Sequence, residues 1–482
     1  MTLLYINNYI TCFVSSQRHI TQCLLQISHK YCIIKERGEN MSDQERKCLY
    51  EKLYEEIKNS IISGELRDGA KLPSKRAQAE RLGVSVITVE NAYAQLLAEG
   101  YIASRERSGY FVCAGDMTQP QSTEPADDDF SETLPEVATA PGNTMFPFSV
   151  WTRLMRTVIL EKGSALLSPV PPGGAPDLQY AISNHLKAYR GISVPPHRII
   201  VGAGTEYLNN LLVQLLGNNL TYAVENPGYH KPAQIYRLNG ALCLPISLDS
   251  QGISAQELYY KNVDVVHISP AHNFPTGIVM PISRRMELMK WAVRRNGFII
   301  EDDYDSEFRW AGKPLPTMFG LDRSGRVIYM NTFSMTIAPS VRISYICLPH
   351  ELYERWKERL GFCSCPVPAF EQYTLARFIS GGHFERHINR MRKHYRQVRE
   401  LTLRLAEMYN GGISEESAGL HFLLDIAETS PLIGIYRECG VKVSPLAGHY
   451  DSGSDIPQEA FGRYVVNYSS ADIEALDKNL NA

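Results

Sequence analysis

From Phe146 onward the chain alternates short apolar, β-branched runs with stretches of helical periodicity, and few folds accommodate that rhythm. The runs fall at residues 199–201, 221–224, 263–268, 298–301, 327–330 and 345–348, separated by helical stretches such as 206–216 and 283–295. Strands alternating with helices predict an α/β domain on a mainly parallel, doubly wound sheet, with ligands near the carboxyl ends of the strands. After about Pro366 a long charged helix and a shorter α+β pattern predict a smaller C-terminal subdomain, residues 366–482, within a unit spanning 145–482.

A chain of 482 residues is too long for one ordinary core, so further domains are expected N-terminal to this unit. The net charge of −3 gives no whole-chain signal for nucleic acid or membrane, so local charge must decide. Ten cysteines lack the repeated C-x-x-C spacing of a zinc site, and Cys363-Ser364-Cys365 stands alone. They read as thiols in a reducing cytosol rather than as metal ligands. No apolar run reaches the roughly 18 residues a membrane span needs. Residues 1–44 lack the pattern of a signal peptide and read as a disordered or over-extended N-terminal segment, with Met41 a more ordinary start.

Between Leu49 and Cys113 the pattern is compact and helical. Leu49, Leu53, Ile57 and Ile61 recur at i, i+4 and end at Ser63-Gly64. Ser74 then precedes a short helix, residues 75–82, that breaks at Gly83, and Ser85 precedes a second helix through Val86, Val89, Tyr93 and Leu96. Two short helices across a glycine turn outline a helix-turn-helix. Two short strands follow, residues 101–104 and 109–112, with Arg105-Glu106-Arg107-Ser108 at the tip between them. A basic hairpin after a recognition helix is a wing, placed to reach phosphates or the minor groove.

This segment, residues 45–113, resembles the GntR family. The resemblance rests on Leu72-Pro73-Ser74-Lys75-Arg76, Gly83-Val84-Ser85 with Thr88-Val89, Ala98-Glu99-Gly100-Tyr101, and Ser108-Gly109 with Phe111-Val112. It implies double-stranded DNA as partner, contacted by Lys75, Arg76, Ser85, Thr88, Arg107 and Gly109. Many relatives carry an arginine after the serine cap, where this chain has Val86. A valine touches a thymine methyl but cannot make an arginine's bidentate guanine contact, so operator preference does not carry over.

Residues 114–144 change character again. Asp116, Glu124, Asp127, Asp128, Asp129, Glu132 and Glu136 occur with four prolines and no lysine or arginine, which reads as an acidic, flexible linker.

Several motifs fall at the predicted strand ends of the large unit. Gly202-Ala203-Gly204-Thr205 is a turn suited to presenting backbone N–H groups to a phosphate, but it lacks the last glycine of a dinucleotide-binding turn. Asn226-Pro227-Gly228-Tyr229 puts an aromatic ring on a turn, and Ser269 to Gly277 brings His272 and Asn273 within reach of a ligand. Glu301-Asp302-Asp303-Tyr304 closes a strand with acids, for which a metal is disfavoured because no histidine lies at useful spacing. Asn331 to Arg342 contains Thr332, Ser334 and Met335.

In this order, from about Leu49 to the C terminus, the motifs resemble the MocR regulators, a GntR-type winged helix fused to a fold-type-I aminotransferase-like domain. The resemblance implies a pyridoxal 5′-phosphate (PLP) cradle. Its phosphate cup would comprise Gly204, Thr205, Thr332, Ser334 and Arg342. Asp302 would face the pyridine nitrogen, Tyr304 the ring hydroxyl and Tyr229 the ring face, and Arg463 would grip a carboxylate. It also implies a homodimer and an amino-acid or amine effector.

Met335 stands where the family's Schiff-base lysine is expected. A thioether has no titratable group, so it forms no imine and moves no proton. PLP would be held noncovalently if at all, and transamination is expected to be absent. The alternative, an active aminotransferase with an accessory DNA-binding module, needs another lysine, for which Lys313 is the nearest sequence candidate.

Overall fold

The computed structural model describes residues 43–106, 108–113, 145–310, 315–415 and 417–481. Arg107, Lys313, the acidic segment 114–144 and nearly all of the N-terminal segment lie outside the described residues. The chain divides into two compact units, Met1–Thr133 and Leu134–Ala482.

The first unit runs α1 (Asp43–Ile62), β1 (Lys71–Leu72), α2 (Lys75–Leu82), α3 (Val86–Ala98), β2 (Ile102–Arg105) and β3 (Gly109–Val112). Leu53, Ile57 and Ile61 of α1 share a core with Val89, Tyr93 and Leu96 of α3, the stripe that the i, i+4 spacing demands. Ser74 caps α2 by accepting from the Ala77 amide at 3.2 Å, and Gly83 ends it at φ +66°. That left-handed turn is one glycine enters without steric cost. Antiparallel β2 and β3 form the wing, and β1 adds to its edge in the order β1-β3-β2. β1 is too short to show as a sequence pattern; its pairing with Tyr110 and Phe111 reveals it.

The second unit begins with α4 (Phe148–Lys162) and α5 (Pro176–Tyr189). Its sheet comprises β4 (Ile199–Gly202), β5 (Thr221–Asn226), β6 (Leu242–Asp249), β7 (Gly252–Ile253), β8 (Val265–Ile268), β9 (Phe298–Asp302), β10 (Val327–Thr332) and β11 (Ser344–Cys347). The order is β4-β11-β10-β9-β8-β5-β6-β7. Strands from β10 to β6 pair in parallel, while β11 runs antiparallel to both neighbours. This is the doubly wound sheet expected from the sequence.

Alternate strand residues explain the two covered faces. Ile200, Tyr222, Ile300 and Ile328 pack on α6 (Thr205–Leu216) through Leu208 and Leu212. Ala223, Ile299 and Val327 face Leu288 and Trp291 of α8 (Ile282–Arg295), across the sheet from α7 (His230–Leu238). Ile199 and Val201 pack on α5 and on α9 (Ala369–Ser380).

The C-terminal part has an antiparallel sheet of β12 (Gly412–Ser414), β13 (His421–Asp425), β14 (Lys442–Pro445) and β15 (Arg463–Asn467), ordered β12-β13-β15-β14. Its core begins inside α10 (His383–Met408): Phe384 and Ile388 join the large core, whereas Met391, Tyr395 and Val398 join Phe422 and Tyr436. Residues 369–388 therefore belong by packing to the large core, although they lie beyond Pro366. The last helix, α11 (Ile473–Leu480), is capped by Asp472, which accepts from the Glu474 amide at 2.8 Å. Ser470, two residues earlier, donates its hydroxyl to Gly440 O.

Candidate functional site

A cavity of ≈ 340 Å³ opens at the carboxyl ends of the parallel strands. It brings together Thr205, Tyr229, Asp302, Tyr304, Thr332, Ser334, Met335 and Arg342, residues spread over more than a hundred positions of sequence. The topology makes this meeting obligatory, because all but Arg342 lie at or just after the carboxyl end of a parallel strand, and Arg342 precedes β11, whose antiparallel course starts on that same side of the sheet.

One end of the cavity is cationic. Gly204 precedes α6 at φ +95°, and a Cβ there would approach Arg342 Nη2 to 2.5 Å, so glycine is required for the arginine to close over the turn. Arg342 is itself left-handed at φ +48°, a conformation costly for a non-glycine residue and common at functional sites. The exposed first-turn amides of α6 add positive potential. Glu206 enters this cup from the first turn of α6, accepting from Arg342 at 3.0 Å and from Lys231. Lys231 lowers the Glu206 pKa, while Glu206, ahead of Tyr229, holds the Lys231 ammonium above its ordinary pKa. Ser334 Oγ is buried without a hydrogen-bond partner.

Asp302 and Asp305 make another part of the lining acidic, while Glu301 and Asp303 are buried outside it, and the four carboxylates have separate tasks. Glu301 accepts from the Met318 and Phe319 amides at 2.9 Å, and burial pushes it up to about 7. Asp303 pairs with Arg190 at 2.8 Å. Asp305 accepts from or shares a proton with His272 Nδ1 at 2.8 Å. Asp302 faces the cavity, and its Oδ1 is buried without a hydrogen-bond partner. Behind it His267 Nε2 lies 3.5 Å from Oδ2, and His267 Nδ1 meets Tyr236 at 2.6 Å. A buried chain thus supports one unpaired acid oxygen.

His272 is fully buried, and burial, reinforced by Arg309, holds it down at about 3. With Asp305 and His421 it forms a cluster whose donor atoms lie within 4.8 Å of one another. The sequence argument that no histidine partners the acids therefore fails, because His272 and His421 reach Asp305 through the fold. Arg309 supplies positive charge beside the cluster. Tyr304 meets His272 Nδ1 through its hydroxyl at 3.3 Å and lines the cavity.

Tyr229, half-exposed, forms one wall edge-on to Phe274. Arg463 does not line the cavity. At the start of β15 its guanidinium pairs with Asp425 at 2.6 Å and with Ser414, so the carboxylate grip expected of it is not built. Lys231, Glu206, His267, His421 and Asn467 do line it, and the sequence reading assigned them no role. Glu206 directly follows the recognised Gly202–Thr205 turn, but His421 and Asn467 come from the distant C-terminal sheet and carry no local signal.

In the first unit Ser85 accepts from the Thr88 amide at 3.1 Å and meets its hydroxyl at 2.8 Å. Thr88 is buried, so its side chain serves the cap rather than an exposed DNA-facing surface. Lys75 pairs with Glu90 at 2.6 Å. Arg76 is exposed, and Gly109 takes φ +108° at the wing, with no more than van der Waals contact to Lys71. Lys71 and Arg105 lie over the Phe111 ring and add exposed cations beside it.

Residues 49–112 match the family of bacterial regulatory proteins of the gntR type, and residues 138–475 match aminotransferase class I and II. The chain is 37% identical to the HTH-type transcriptional regulator YdeL of Bacillus subtilis, over 90% of this chain and 96% of that one. It is 30% identical to the probable rhizopine catabolism regulatory protein MocR of Rhizobium meliloti, over 90% and 92% of the respective chains. The chain belongs to the MocR-type transcriptional regulators. It is accordingly a DNA-binding protein, with a gntR-type winged helix and an aminotransferase-like domain.

A further MocR-type relative, the pyridoxine biosynthesis regulator PdxR of Corynebacterium glutamicum, is 29% identical over 83% of this chain and 88% of its own. Among solved structures, an archaeal alanine:glyoxylate aminotransferase superposes with a TM-score of 0.61 at 23% identity, covering 71% of this chain and 88% of that one. LysN of Thermus thermophilus, an α-aminoadipate aminotransferase, gives 0.59 at 20% identity, over 70% and 88%. Both likenesses concern the fold. In this MocR-type chain, the unpartnered Asp302 Oδ1 and Ser334 Oγ face opposite needs of one ligand, a protonated ring nitrogen and a phosphate, and so fit PLP.

Proposed function

We propose that this regulator binds PLP noncovalently, without transaminating, and that occupancy of the cavity adjusts its binding to DNA as a homodimer. The observation that carries the reading is the pair of unsatisfied buried oxygens, Asp302 Oδ1 and Ser334 Oγ, in a cavity whose position 335 is methionine. Leaving such atoms unpaired costs about 1–3 kcal/mol each, which a complementary ligand would recover.

Thr205, Thr332, Ser334, Arg342 and the first turn of α6 would hold the phosphate. Asp302, backed by His267, would bind the ring nitrogen as its proton acceptor, Tyr304 the ring hydroxyl and Tyr229 the ring face. Bound there, the cofactor supplies an electron-withdrawing ring and an aldehyde that an amine effector can engage. Met335 offers neither an anchor nor a proton carrier. Lys231, the lysine among the described lining residues, is held as an ammonium by Glu206 and is a poor nucleophile in that state.

A ligand shifts DNA affinity only through different affinities for DNA-competent and incompetent states, so the test measures both together. The full-length protein is expected to retard promoter fragments at low salt, with an apparent affinity that changes when PLP is added. Retardation independent of PLP contradicts the sensing role. No retardation at low salt, where phosphate contacts are strongest, contradicts regulation by DNA binding.

A further inference from the structure

We propose that α3 reads its operator through thymine C5-methyl groups, contacted by Val86 and Ile87. The inference rests on DNA binding by the first unit and is independent of PLP. In a helix-turn-helix the N-terminal residues of the second helix meet base edges in the major groove. Here that turn carries two exposed apolar side chains, Val86 at 43% and Ile87 at 68% relative exposure, while their neighbours Thr88 and Val89 are buried. The core of the unit is complete without them, since Val89, Ala92, Tyr93 and Leu96 supply its α3 face.

The chemistry of the exposed face narrows the occupant. It continues through Glu90, Asn91 and Ala94 and contains neither arginine nor lysine, so it offers no bidentate donor to guanine. The Glu90 carboxylate is paired with Lys75 at 2.6 Å, which tempers its repulsion of phosphate. Exposed cations lie elsewhere on the unit, at Lys71, Arg76 and Arg105, and suit the backbone rather than base edges. The apolar feature of the major groove is the thymine methyl, which a valine or isoleucine terminus matches.

Selection of binding sites from random duplexes by the full-length protein is expected to yield half-sites with thymines at the positions facing Val86 and Ile87. Replacing each of those thymines by 2′-deoxyuridine removes only the methyl group, and should weaken binding about 3- to 5-fold. Ile87→Ala should abolish sensitivity at one position, leaving the salt dependence and the melting temperature unchanged, because phosphate contacts and the core are untouched. Binding that no deoxyuridine replacement alters beyond about 2-fold overturns the proposal while leaving DNA regulation intact. Selected sites with guanine at those positions, or no preferred sequence, overturn it equally. Failure to bind any duplex at low salt overturns both readings.

Discussion

Glu206 keeps company with two cations at the place where the phosphate of a pyridoxal ligand would lie. Its carboxylate neutralises Arg342 and Lys231 in the free protein, and it would repel a phosphate dianion arriving beside it. At the dielectric of a partly exposed cup, removing one negative charge at such range is worth about 1 kcal/mol. Glu206→Gln is therefore expected to tighten PLP or inorganic phosphate binding about 5-fold, read by fluorescence titration. A loss of affinity would show that the carboxylate organises the cup instead.

Glu225 provides a pH-dependent test within the same wall. Burial pushes its carboxyl from 4.5 up to about 7, partly offset by the Ser269 amide. Between those values the folded protein binds more protons than the unfolded chain, so this residue's contribution to stability falls as pH rises from about 4.5 through 7. Glu225→Gln keeps the neutral shape and should gain stability relative to the parent across that window, approaching 3 kcal/mol at most, by about the linkage relation. Urea melts at pH 5 and pH 8 decide it; an unchanged difference between the two pH values contradicts the assignment. The sequence contained the cavity's strand-end motifs because each is local. It concealed Lys231, His421 and Asn467 because their role depends on three-dimensional proximity. It misdirected Arg463, whose nearest acid, Asp425, is a cross-strand neighbour.

At the scale of elements, capping decides where the recognition helix begins. Ser85 satisfies the Thr88 amide. Ser85→Ala should cost the first unit about 1 kcal/mol, visible as a lower melting transition for that unit. A Ser85→Ala melt equal to the parent's would mean that water caps α3 adequately. The bounds read for α2, α6 and α8, and for six strands of the large sheet, agree with the structure within a residue or two, since apolar periodicity and strand-end turns coincide there, whereas α1 starts six residues before the apolar stripe that marked it. β6 was not, because Pro245 interrupts the run; the strand tolerates it with β7 paired only at Leu248 and Asp249. Short strands such as β1 and β12 were hidden because two or three residues carry no period.

At the scale of the whole molecule, two sets of features belong to separate compact units, DNA recognition in the first and an aminotransferase-like cavity in the second. The sequence disclosed this division through the change from a compact helical pattern to alternating strands and helices. We propose that the second unit holds a PLP cradle with Met335 where a covalent anchor would stand. The most direct test titrates PLP into the parent protein and into Met335→Lys, then treats each with borohydride and weighs the denatured chain. Reversible PLP binding by both proteins is expected, with a mass increase in Met335→Lys alone. Failure of both to bind PLP, or covalent labelling of the parent, would contradict it.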